Sequence, residues 1–178
     1  MMMDTSIKHA INWSLSANKR ASKYIEVKKS GIHNYGVFAR TRIKKGTKVI
    51  EYTGQYCTKE ESDKRQDRDA NNGTVYVFTL NKKYDIDGAV GGSHARLINH
   101  SCDPNCETLT DDDHIWIIAI RDIEPGEELS YDYNYDTDAY EEHPCRCGAK
   151  NCRGYIIGEE HHEKLVKEGK WNHINSDD

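Results

Sequence analysis

The chain has 178 residues, enough for one domain that buries its own core without needing disulfides or a metal to hold the whole fold. Hydrophobic residues make up 36% and charged residues 31%, and no apolar run approaches the ~20 residues that span a bilayer, so a soluble protein with no membrane contact is expected. The formal charge of -5 speaks against direct nucleic-acid binding, whereas a negatively charged groove would suit a basic peptide.

Residues 1–23 are polar with scattered Ile11, Trp13 and Leu15, and read as an N-terminal arm or a short docked helix. They lack the apolar centre of a secretory signal, so an intracellular, reducing setting is expected. There, six cysteines serve as thiols or metal ligands rather than disulfides. From Tyr24 onward come YIEV, GVFA, KVIEYTG, TVYVFTL, KKYDID and HIWIIAIRDI, rich in β-branched and aromatic residues and bounded by Gly, Asn or Asp. They predict short strands in a mostly-β domain over 24–140.

A variable charged insert at about 56–72 interrupts that pattern. Its centre, KEESDKRQDRD at 59–69, has five acidic and four basic side chains and no apolar one, which reads as a solvated helix or loop. Beyond Gly158, in a C-terminal segment 158–178, EEHHEKLVKEGKW predicts a helix docked by Leu165, Val166 and Trp171, and NHINSDD a frayed end.

Chemistry concentrates in a few islands. In RLINHSC, Arg96, Asn99 and His100 put a cation, an amide and an imidazole into one short segment, either as ligand contacts or as backbone partners in a tight turn. Asn34-Tyr35-Gly36 forms a turn entering a strand, where Asn34 tolerates positive φ and Gly36 lets backbone approach a ligand. Eleven tyrosines stand against two phenylalanines. Among them, the period of two in SYDY sets Tyr131 and Tyr133 on one side of an extended segment, with Asp132 on the other and so not a general base.

The stretch CRCGAKNCRGYI, 145–156, holds Cys145, Cys147 and Cys152 as C-x-C-x4-C, three ligands of a zinc site that needs four. Cys57, Cys102, Cys106, His143, His161 and His162 are all candidates for the fourth, and nearness in sequence favours His143. No G-x-S-x-G elbow, Rossmann fingerprint or P-loop is present, which sets aside a hydrolase beside Ser101 and common nucleotide folds.

Taken in order, GIHNYGVFA, EYTG, RLINHSCDPNCE, GEELSYDY and CRCGAKNCRGYI resemble the SET-domain protein-lysine methyltransferases with their post-SET segment, over about Tyr24 to Ile157. The resemblance implies a SET fold, small curved β-sheets around a pseudoknot with short helices, followed by a post-SET zinc loop at 141–157. It implies methyl transfer from S-adenosyl-L-methionine to a lysine of a histone tail or a nonhistone protein. The cofactor would lie along Asn34, Tyr35, Gly36, Tyr76, Arg96, Asn99 and His100, although the family usually shows G-x-G where this chain has Asn34-Tyr35-Gly36. Tyr52, Tyr131 and Tyr133 would form the transfer site, Tyr133 acting on the amine and Tyr131 limiting the product to mono- or dimethyllysine. Cys102 would complete a structural Zn2+ site with Cys145, Cys147 and Cys152, leaving Cys57 and Cys106 as buried thiols.

The residue chemistry fits such a reaction. The nucleophile must be a neutral amine, yet a lysine of pKa ~10.4 is neutral roughly once in 2,500 at pH 7, a cost of about 4.6 kcal/mol. A narrow aromatic channel lowers it by desolvating the ammonium. The charged insert is the segment expected to help select the peptide. In a eukaryote the expected location is nucleus and chromatin, in a microbe the cytoplasm or a host. The competing reading is a non-catalytic SET-like module that binds a lysine-bearing peptide or the cofactor without turnover.

Overall fold

In the computed structural model, residues 22–70, 76–138 and 140–171 are described, those at 66–70 by their backbone alone. The arm expected over 1–23 lies outside them except for its last two residues, as does the frayed end at 172–178. Four small sheets and two α-helices make up most of the regular structure of the described residues.

Strand β1 (Ile25–Lys29) pairs antiparallel with β2 (Tyr35–Ala39) across the Asn34 turn. Asn34 there has φ 39, in the left-handed region that an Asn side chain tolerates better than most. Strand β3 (Lys48–Tyr52) leads into β4 (Gln55–Thr58) and then helix α1 (Lys59–Ala70). The charged insert is therefore mainly a helix. It starts at a reciprocal capping box: Thr58 N–H donates to Glu61 Oε2 at 2.9 Å, and Glu61 N–H to Thr58 Oγ1 at 3.3 Å. With no large apolar side chain in its sequence, α1 is held by ion pairs: Arg65 meets the fully buried Asp87 at 2.8 Å, and Lys59 meets Asp85.

Strands β5 (Val77–Thr79) and β6 (Tyr84–Asp87) follow, and β6 sits between β4 and β5. A short 3-10 helix (His94–Leu97), capped by Ser93, turns the chain into β7 (Asn99–His100). Strands β8 (Cys106–Asp111) and β9 (His114–Ala119) form a hairpin, and β9 is central between β3 and β8. Its two loop residues, Asp112 and Asp113, have φ 47 and 60, the conformation that a two-residue hairpin loop needs to match strand twist. In HIWIIA the alternation buries Ile115, Ile117 and Ala119, the signature of a strand with one face in the core. Val37, Ile43, Ile98, Ile123 and Leu129 close that core.

Strand β10 (Ser130–Tyr131) runs parallel to β7, pairing Ser130 with Asn99 and Tyr131 with His100. This pairing brings GEELSYDY onto NHSC, although about thirty residues of sheet and turn separate them in the chain. The last element, helix α2 (Glu159–Lys167), packs Leu165 with Tyr140 and Ile157 in a second small cluster, against which Tyr155 and Trp171 lie. Val166, expected as a docking residue, is instead 51% exposed. Adjacent helical residues lie about 100° apart, so a short helix resting on one side chain turns the next one away.

Candidate active site

A cavity of about 610 Å3 opens between the β1–β2 turn, the 3-10 helix with β7, and the C-terminal segment. Asn34, Tyr35, Tyr76, Arg96, Asn99 and His100 all line it, together with Tyr133, Tyr135, Glu142, His143 and Arg146. That volume falls in the range of about 300–1,000 Å3 typical of small-molecule sites. Arg96 is fixed from behind, donating to the carbonyls of Gly88 (3.3 Å) and Gly92 (3.4 Å), with its guanidinium over the Tyr76 ring at 5.8 Å. Gly36, unlike its two predecessors, is not among the lining residues; the place of a Cβ there is taken by the Glu128 carboxylate, 2.2 Å away.

Beside the cavity stands a cluster of aromatic rings. Tyr52 lies 5.1 Å from Phe78, Phe78 lies 6.2 Å from Tyr131, and Tyr131 lies 5.0 Å from Tyr133. Tyr52 comes from the end of β3, Phe78 from β5, and the other two from β10 and the residues after it. Tyr52 donates to the Tyr76 carbonyl at 2.6 Å and Tyr133 to the Ile98 carbonyl at 2.9 Å. Gly88 is a glycine for this reason: a Cβ there would lie 2.7 Å from the Tyr52 hydroxyl. Burial pushes the phenols of Tyr52, Tyr131 and Tyr133 well above the ordinary tyrosine value, and their neighbours in the cluster add to the effect. All three are neutral donors and acceptors near pH 7, not bases.

Asp132, between the two tyrosines, points to other partners. Its Oδ2 accepts from Arg153 Nη2 at 2.8 Å, and Arg153 also donates to the Ile157 carbonyl. The carboxylate thus joins SYDY to the C-terminal segment. His100 forms a second link. Tyr133 N–H donates to its Nδ1 at 3.2 Å, so Nδ1 is the acceptor and the ring proton sits on Nε2, which faces Cys102 Sγ at 3.5 Å.

The sulfurs of Cys102, Cys145, Cys147 and Cys152 all lie within 4.8 Å of one another, the donor set and spread of a closed tetrahedral zinc site. His143, the nearer candidate in sequence, is outside this group and sets its ring edge-on to Tyr135 at 5.2 Å. Cys145 Sγ, the His100 ring and the Arg153 N–H hold the Cys102 thiol below its ordinary value. Burial raises the two remaining cysteines, Cys106 to about 12, which keeps both as inert thiols.

Phe78, Glu128, Asp132 and Arg153 were not singled out as site residues by the sequence. For Phe78 the signal was available, since it stands two places after Tyr76 on an alternating strand. For the other three only the chain's spatial path brings the partners together.

Parallel pairing of β7 with β10, a cavity on one side and a tetrathiol cluster on the other define a SET fold with a post-SET segment. A family model described as SET domain matches residues 34–134, more than half of the chain, and the chain belongs to that family. It is 43% identical over 135 residues to histone-lysine N-methyltransferase TRX1 of Oryza sativa subsp. japonica, covering 72% of this chain and 13% of that protein. It is 36% identical over 146 residues to an H3 lysine-4 specific histone-lysine N-methyltransferase of Emericella nidulans, covering 78% of this chain and 12% of the relative. To the Saccharomyces cerevisiae protein of the same name it is 36% identical over 151 residues, covering 80% and 14%. The chain thus spans about an eighth of the length of these curated relatives.

Proposed function

We propose that this chain is a protein-lysine N-methyltransferase that uses S-adenosyl-L-methionine and favours mono- or dimethylation. The observation that carries the reading is the position of Tyr133. Tyr133 lines the cavity and its ring also belongs to the aromatic cluster of Tyr52, Phe78 and Tyr131, which supports a cofactor site in the cavity and a lysine site among the rings. When bound, S-adenosylmethionine supplies an electrophilic methyl on a sulfonium.

The chain's residues do the rest. Asn34, Tyr35, Tyr76, Arg96, Asn99 and the backbone at His100 would hold the cofactor, as a mixed apolar and polar lining of suitable volume. The aromatic walls strip water from the lysine stem and so favour the neutral amine. Because Tyr52 and Tyr133 give their protons to carbonyls, their oxygens offer lone pairs to amine N–H groups and orient the nitrogen. The buried Tyr131 hydroxyl occupies space that a third methyl would need. Cys102, Cys145, Cys147 and Cys152 would hold a structural zinc as thiolates, joining the 141–157 segment to NHSC. On this reading the chain divides into an arm at 1–23, a SET domain at 24–140, a post-SET segment at 141–157 and a C-terminal segment at 158–178.

Two relatives have names specifying H3 lysine 4, so an H3 tail peptide is the first substrate to offer, with a chromatin location following from it. Incubation with methyl-labelled cofactor and mixed histones should transfer label, and Tyr133→Phe should lower the rate by about 100-fold or more. A protein that binds S-adenosylhomocysteine and peptide but transfers no label is the non-catalytic module instead. Transfer only to nonhistone proteins would replace the substrate and keep the activity.

A further inference from the structure

The cofactor-facing turn is held from behind by a carboxylate. Glu128 precedes β10 and has its backbone fixed there: its carbonyl accepts from Asn105 Nδ2 at 2.8 Å, and it bridges to Phe38 of β2. Its Oε1 accepts from Ser30 Oγ at 2.7 Å and from Asn99 Nδ2 at 2.9 Å. Ser30 Oγ in turn accepts from the Ile32 N–H at 2.9 Å, and Ser30 N–H donates to the Asn34 carbonyl at 3.1 Å.

Asn99 Nδ2 is surrounded by acceptors, with Ser30 Oγ, the Tyr35 carbonyl and the His33 carbonyl at 3.1, 3.2 and 3.4 Å besides Glu128. Only the amide orientation that turns the NH2 group toward this ring makes sense chemically. Gly36 completes the arrangement. A Cβ there would meet Glu128 Oε1 at 2.2 Å and Cδ at 2.8 Å, so the absence of a side chain is what admits the carboxylate.

We infer that Glu128 is a positioning residue for the cofactor site: through Ser30 and Asn99 it latches the 30–36 turn onto β7 and so sets the wall formed by His33, Asn34 and Tyr35. The link lies in the second half of the domain, about a hundred residues from the turn it holds. It also gives Gly36 a reason that does not involve direct ligand contact. A hydrogen bond to a charged group contributes about 1.5–3 kcal/mol, or roughly 10- to 100-fold in an equilibrium constant.

The inference rests on the proposed cofactor site, and two measurements separate their failures. In the zinc-loaded full chain, S-adenosylhomocysteine is titrated calorimetrically into the wild type, Glu128→Gln, Ser30→Ala and Gly36→Ala. Amide exchange at Ser30 and Ile32 is followed without ligand. Each variant should bind about 10-fold more weakly, with kcat at saturating cofactor within about twofold of wild type and peptide KM unchanged. Glu128→Gln combined with Ser30→Ala should cost no more than the larger single change, since both break one unit.

Faster exchange at Ile32 in ligand-free Glu128→Gln and Gly36→Ala, which keep its Ser30 acceptor, supports the latch even if the wild type binds no S-adenosylhomocysteine, a result that would sink the cofactor site alone. Unaltered exchange together with unaltered affinity would overturn the latch. So would loss of kcat at intact affinity, which would make Glu128 part of the transfer chemistry. Ser30→Ala and Gly36→Ala keep the test open should Glu128→Gln fold poorly.

Discussion

Tyr52 and Tyr131 are buried and Tyr133 is partly so, and the hydroxyls of the three are differently committed. Those of Tyr52 and Tyr133 are tied to the carbonyls of Tyr76 and Ile98, while Tyr131 stands between Phe78 and Tyr133 as a wall. Tyr131→Phe keeps the ring and removes the hydroxyl; mass spectrometry of the product should show the trimethyl form rising to become a main species. The pH response follows from the same burial. With phenol values pushed upward, none of the three ionises below about pH 10, so the rate should rise roughly tenfold per pH unit between pH 7 and 9 as free lysine deprotonates. The sign for stability is opposite. Above about pH 10 the unfolded chain releases phenol protons that the folded one retains, so stability is intact below that value and falls above it. An alkaline titration followed by tyrosinate absorbance should show these phenols ionising only with unfolding.

At the scale of elements, α1 shows how a helix without an apolar face is kept in place. Its capping box fixes the start, and Arg65 covers the Asp87 carboxylate, which is 0% exposed and also accepts from Ala89 N–H at 2.8 Å. Arg65→Ala leaves that charge buried with its cation gone, and chemical denaturation should show about 3–5 kcal/mol of lost stability. The exposed pair Lys64–Glu60 on the same helix is a contrast: breaking it should change stability by less than about 1 kcal/mol. The sequence of α1 showed the charges, but not which of its cations is needed. Asp87 reads as an ordinary strand end until β4, β5 and β6 pair and close over it.

Across the whole molecule, the tetrathiol cluster and the Asp132–Arg153 pair form two adjoining clasps between the C-terminal segment and the residues around β7 and β10. The core cluster with Ile43, Ile98, Ile115, Ile117, Ile123 and Leu129 includes none of the clasp residues. Removing zinc should therefore abolish methyl transfer while far-ultraviolet circular dichroism keeps most strand signal. Cys102→Ser should lose bound metal, and Cys106→Ser should retain it. Full activity in a chelated sample with verified zinc loss would remove the metal from the closing role. Strand positions, the tyrosine-rich islands and the thiol pattern were legible because each is a local property: alternation, turn residues and short spacings. By itself the sequence determined a mostly-β domain, the C-x-C-x4-C loop and the SYDY pair, since periodicity and local chemistry act over a few residues. The resemblance implied Cys102 rather than His143, and the tertiary structure brings its sulfur to the other three; that Glu128 reaches the Asn34 turn and that Asp132 meets Arg153 only the tertiary structure decided. Those contacts depend on how β10 pairs with β7 across the chain, and no local pattern encodes which distant residues that pairing brings within a few ångströms.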